Sequence, residues 1–130
     1  MYEIPKELRY TPEHEYLKAT DEKDVYLVGI TDYAQGELGD VVFVELPGVG
    51  KEFARMEAFG TIEAVKAVSD LYSPAKGKIM EVNAKLADDP SIVNSDPYGA
   101  GWMIRLKVLD AADLSRLLDA AGYAAHIGEG

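Results

Sequence analysis

The sequence predicts a mainly β protein, a sandwich or small barrel with a short helix near residues 31–38 and a helix at the C-terminal end. Three observations carry this. Short runs rich in β-branched residues recur along the chain, glycine and proline turn signals separate them, and the only strong helical spacing lies after residue 110. With 130 residues and 48% hydrophobic composition, a single domain over 1–130 can bury a core without staples.

After a short polar opening, Val25–Ile30 (VYLVGI) is a compact apolar run and reads as a strand. Thr31 has N-cap chemistry and Gly39 suits a helix end, so Thr31–Leu38 reads as one short helix despite Gly36. Val41–Leu46 (VVFVEL) is again a strand, turned by Pro47, Gly48 and Gly50. Phe59–Val65 and Leu71–Val82 are extended, the second interrupted at Ser73-Pro74 and Lys76-Gly77. Asn83–Ala100 carries Asp89-Pro90, Asn94, Asp96-Pro97 and Gly99, and reads as a surface connection lying over the core, with a helical turn at Pro90–Val93. Trp102–Leu109 alternates apolar and basic residues as a half-buried strand does. Asp110 then caps a helix with Leu114, Leu117, Leu118 and Ala121 on one face and Gly122 past its end.

Charge and cysteine content exclude several function classes. Thirteen basic against twenty-three acidic residues leave a net charge of -10, which repels nucleic acid and anionic lipid. No cysteine is present, so disulfide scaffolds, thiolate metal sites and intrinsic thiol redox chemistry fall away. No apolar run approaches the ~18 residues of a membrane span. A soluble monomer is expected, in the cytoplasm of a bacterial-type cell or, as a processed precursor, in the mitochondrial matrix. His14 and His126 are far apart in sequence, so no metal site is expected. His14 reads as a surface histidine between two glutamates, and His126 as frayed. No glycine pattern fits a phosphate site. Glu63 and Asp70 could form an acid and base pair in a hydrolase or lyase, but they flank a solvated turn.

The informative stretch is Phe59–Pro74, FGTIEAVKAVSDLYSP. Two strand-like halves meet around Lys66, where the glycine, asparagine or proline of an ordinary tight turn is missing. Small apolar neighbours leave the Lys66 amine open to a modifying enzyme. Periodicity alone favours a solvated lysine in a continuous strand.

IEAVKAVSDLYSP followed by GKIMEVN resembles the lipoylation hairpin of glycine cleavage H proteins. The resemblance extends through YTPEHEY, VGITDYAQGELGDVVFVELPGVG and NSDPYGAGWMIRL, from Tyr10 nearly to the final helix. It implies a flattened β-sandwich, the lipoyl-domain-like barrel-sandwich hybrid, and lipoate bound to Lys66 on an arm of roughly 15 Å. The function implied is a non-enzymatic shuttle for the aminomethyl group of glycine, with no catalytic residues of its own. Glycine decarboxylase loads the arm, aminomethyltransferase unloads it, and dihydrolipoyl dehydrogenase reoxidises it, after a lipoylating enzyme has attached the lipoate. Glu15 and Asp70, with Glu63, are the expected neighbours of the arm, as anions beside a cation. The alternative is an H-like protein that relays lipoate or carries sulfur intermediates. The sequence departs from the family pattern at Met56, usually glycine, at Tyr16, usually tryptophan, and at Glu37, histidine in some relatives.

Overall fold

A computed structural model describes residues 2–128 of the chain. Its strands are β1 Arg9–Tyr10, β2 Glu15–Ala19, β3 Val25–Ile30, β4 Val41–Glu45, β5 Glu52–Phe53, β6 Ala58–Ala64, β7 Val68–Tyr72, β8 Gly77–Val82 and β9 Ile104–Val108. Its α-helices are α1 Asp32–Leu38, α2 Lys85–Asp88, α3 Ile92–Ser95 and α4 Ala120–His126. Pairing is antiparallel throughout, in a six-stranded sheet ordered β1-β2-β3-β9-β8-β5 and a three-stranded sheet ordered β4-β6-β7.

Period-2 alternation turns one face of each sheet inward. Leu17, Val28, Ile79, Ile104 and Leu106 of the large sheet share a core with Val44, Phe59, Ile62 and Leu71 of the small one. A second cluster of Leu8, Tyr10, Tyr16, Tyr98 and Tyr123 closes the end of the large sheet near β1 and β2. Tyr16 is fully buried there and its hydroxyl donates to the Pro97 carbonyl, so the phenol keeps both packing and a partner.

Strand β3 and helix α1 form where the sequence predicts them. Thr31 Oγ1 accepts from Ala34 N, and Gly39 (φ 79°) closes the helix with its N–H on Gln35 O. Four expectations need correction. The polar opening contains β1 and β2, hidden because a charged residue, Glu15, occupies a buried position of β2. The extended stretch expected from Leu71 begins earlier, with β7 at Val68, while its expected interruption at residues 73–76 is where the chain crosses from the small sheet to the large one. The connection 83–100 does not merely cover the core, since Leu86 and Val93 from its two one-turn helices are buried in it.

The single C-terminal helix is also replaced by two pieces. A 3-10 helix spans Ala111–Arg116, capped by the Asp110 side chain, and α4 begins only after Asp119. Between them Leu118 exchanges two backbone hydrogen bonds of 2.8 Å with Tyr10. That pairing holds Leu117–Leu118 extended, and Gly122 lies inside α4, near its start, rather than beyond its end.

Candidate functional site

Lys66 stands exposed in the three-residue turn between β6 and β7. The turn lacks glycine because its backbone is held from outside. Ala64 N donates to Ala67 O across the turn, Val65 N donates to Asp40 O at 3.0 Å, and Lys66 N donates to Leu38 O at 3.2 Å. The last two are carbonyls at and just past the end of α1, otherwise without helical donors. Gly39 makes the approach possible: a Cβ there would lie 3.0 Å from Val65 Cγ2 and 3.4 Å from Lys66 Cδ and Cε. Asn94 secures the joint, donating to Gly39 O and Gln35 Oε1 and accepting from Val41 N, each at 2.9 Å.

A cleft of about 210 Å³ opens beside this apex. Helix α1 supplies Tyr33, Ala34, Glu37 and Leu38, and β7 supplies Ser69, Asp70 and Leu71. Its floor includes Ile30 and Ile62, and Glu13, His14 and Glu15 form its far wall. Leu38 belongs both to the cleft and to the turn, so cleft and lysine adjoin. Of the expected arm neighbours, Glu15 and Asp70 line the cleft. Glu63 instead stands exposed on β6, register-paired with Phe43 and Val68.

Glu15 is 1% exposed. Thr11 Oγ1 donates to its Oε1 at 2.6 Å and Tyr72 N to its Oε2 at 3.3 Å. Burial dominates these bonds and pushes its carboxyl from 4.5 up to about 8. Burial thus favours the protonated form of Glu15 at neutral pH, in place of the anionic neighbour that the resemblance implies. Asp70 is exposed at the cleft edge.

The histidines are not isolated, contrary to the sequence expectation. His14 Nδ1 lies 2.8 Å from Tyr123 Oη, whose other neighbour is Thr31 Oγ1 at 2.7 Å. His126 Nε2 donates to Pro12 O at 2.9 Å, and the two imidazole centroids are 5.9 Å apart. Burial, then the charge of His126, lowers the His14 pKa. Tyr123 thus ties α4 to the cleft wall and to the cap of α1, and it stacks on Tyr10 at 4.7 Å. Sequence reading missed Thr11, Asn94 and Tyr123, and no local signal marks them, because their partners are remote in the chain. Among the described residues, no group of three or more His, Asp or Glu could hold a metal ion, and no helix is long and apolar enough to cross a membrane.

Two packed antiparallel sheets with short helices and a lysine raised on a hairpin define a protein of the lipoyl-domain-like class. The family model described as glycine cleavage H-protein matches residues 8–130. A glycine cleavage system H protein of Symbiobacterium thermophilum is 52% identical over 130 residues, covering 100% of both chains. One of Chlorobaculum tepidum is 55% identical over 126 residues, covering 97% of this chain and 98% of the relative. The crystal structure of a glycine cleavage system H protein from Mycobacterium marinum superposes with a TM-score of 0.87 at 41% identity, covering 96% of this chain and 99% of the other. The chain belongs to the glycine cleavage H-protein family, a carrier component of that system rather than an enzyme.

Proposed function

We propose that Lys66 bears lipoate in amide linkage and that the chain, a monomer in the cytoplasm, shuttles the aminomethyl group of glycine from glycine decarboxylase to aminomethyltransferase. Dihydrolipoyl dehydrogenase reoxidises the arm. The observation that carries this reading is the exposed Lys66 apex, pinned to the end of α1 and adjoining a cleft of mixed apolar and acidic lining. When bound, lipoate supplies a dithiolane whose sulfur accepts electrons and holds the aminomethyl cargo.

The residues present fit such a group. Ile30, Ala34, Leu38, Ile62 and Leu71 offer an apolar lining for an aliphatic chain, and Glu13, Glu15 and Asp70 offer carboxyl groups for a cationic cargo. Seating the arm among these apolar side chains would limit water access to a hydrolysable adduct. Asp70 meets the cargo as an exposed carboxylate. Glu15 meets it as an acid, and a cation beside it favours loss of its proton. Docking of the cargo is therefore coupled to release of a proton from Glu15.

Intact mass tests the attachment: the protein from a lipoate-supplied host should gain about 190 Da, and Lys66→Ala should gain none. An unmodified parent, where a known lipoyl domain is modified, overturns the reading. Glycine–bicarbonate exchange with glycine decarboxylase tests the cargo, since a lipoylated chain that supports no exchange is not an aminomethyl carrier.

A further inference from the structure

The lysine turn takes its shape from a residue of the connection 83–100. Val65 N donates to Asp40 O, and that carbonyl belongs to the planar peptide unit whose N–H is Val41 N. Asn94 Oδ1 accepts from this N–H at 2.9 Å. One peptide group is therefore gripped by Asn94 on one side and by the turn on the other. Lys66 N is held in the same way: it donates to Leu38 O, and the N–H of that unit, Gly39 N, closes α1 on Gln35 O. Asn94 Nδ2 donates to Gly39 O, in the peptide between these two units, and to Gln35 Oε1, each at 2.9 Å. These partners require two donors and one acceptor on one short side chain, and an amide supplies them.

Asn94 is itself firmly placed. Its neighbour Val93 is buried in the core. Asn83 closes the base of the connection, donating from Nδ2 to the Ala100 and Trp102 carbonyls at 2.8 and 2.7 Å and from its backbone N to Met103 O. Gly101 N donates to Asp96 O at 2.8 Å, and a Cβ at Gly101 would lie 3.0 Å from Ile92 O, so the returning chain packs directly on α3. We propose that Asn94 is a positioning residue for the modification of Lys66, holding the end of α1 in the geometry that presents the lysine turn to a lipoate ligase. The proposal rests on the reading of Lys66 as the lipoylated residue.

Without this clamp the turn keeps one hydrogen bond of its own, from Ala64 N to Ala67 O. Residues 65–67 include no glycine, asparagine or proline to set the dihedrals, and Val65 and Lys66 are exposed. The turn then spends part of its time in other conformations. An enzyme that accepts one of them loses apparent affinity by the fraction displaced, while the complex once formed reacts as before. The loss falls on KM and not on kcat. In the reaction the deprotonated Nζ attacks the acyl carbon of a lipoyl-adenylate, the amide C–N bond forms, the C–O bond to AMP breaks, and the amine proton leaves to solvent.

The test is amide exchange of the unmodified full chain, read residue by residue, beside steady-state lipoylation by an ATP-dependent lipoate ligase followed by intact mass. Asn94→Ala should speed exchange of the Val65 and Lys66 amides about tenfold and raise KM about tenfold at unchanged kcat. The Ala64 amide, bonded within the turn, should keep the parent's rate. Val108→Ala, a core truncation on β9 outside this hydrogen-bond network, should lower the melting temperature and leave KM and the three amide rates at the parent's values. Should Asn94→Ala not fold, Asn94→Asp keeps an acceptor for Val41 N, loses both donors, and should raise KM about threefold. A KM at the parent's value overturns the proposal, whatever the exchange shows. So does a loss confined to kcat, or an equal rise of KM in Val108→Ala, which would assign the effect to stability alone. A parent that gains no mass sinks the Lys66 reading instead, whereas exchange at Val65 tests the clamp without lipoate, so the two failures are distinguishable.

Discussion

Replacing Glu15 with glutamine should stabilise the protein at neutral pH, although it alters a side chain in the wall of the cleft. Folding raises the carboxyl from 4.5 to about 8. Between those values the folded state holds a proton that the unfolded state has lost, so stability falls as pH rises. Below 4.5 both states are protonated and the cost vanishes; above about 8 both are ionised and it levels off. At pH 7 the difference corresponds to about 3 kcal/mol. Glutamine escapes this cost but keeps one carbonyl oxygen where Glu15 accepts through two, from Thr11 and Tyr72, a loss of about 1 kcal/mol. The net gain is about 2 kcal/mol at pH 7, a shift of about 1 M in the urea midpoint. Urea unfolding of parent and variant across roughly pH 5 to 8 should show the parent losing about 1 kcal/mol per pH unit relative to Glu15→Gln, the slope flattening toward pH 8. Parallel profiles, or a parent that gains on the variant as pH rises, would refute the buried-acid account. The same variant should abolish the proton release proposed for cargo docking, measurable as heat that depends on the buffer's ionisation enthalpy.

Gly39→Ala places a Cβ against Val65 and Lys66 at a positive φ, and should cost about 1–2 kcal/mol and slow lipoylation of Lys66, read by melting temperature and mass kinetics. Tyr123→Phe leaves His14 Nδ1 and Thr31 Oγ1 without their shared partner and should cost about 1–3 kcal/mol, checked by urea unfolding. Met56 has φ 65°, so Met56→Gly relieves a left-handed side-chain conformation and should raise stability by up to about 1 kcal/mol, visible as a higher melting temperature. A fall on acidification is expected from His14: its pKa is lowered by folding, so stability is lost as pH drops below 6.5. Gln at His126 should soften that loss, since the neighbouring charge is its second cause.

What the sequence determined by itself is local. The β3 run, the Thr31 cap, the Gly39 stop and the alternation of β9 are each specified by neighbours a few residues apart, and the structure keeps them. Lys66 stood out for the same reason, as an apex without turn residues, and the family pattern around it was legible over nearly the whole chain. Placing β1 and β2 required tertiary structure, because a buried glutamate violates the pattern that marks a strand until Thr11 and the Tyr72 amide are folded against it. The break of the last helix depends on Leu118 pairing with Tyr10, across more than a hundred residues. The bulge that turns Phe43 outward, the Asn94 clamp and the link from His14 through Tyr123 to Thr31 have the same character. Propensity and period act over one or two turns of chain, whereas the protonation of Glu15 and the walls of the cleft depend on burial, and burial exists only once α1, β7 and the approach to β2 have met.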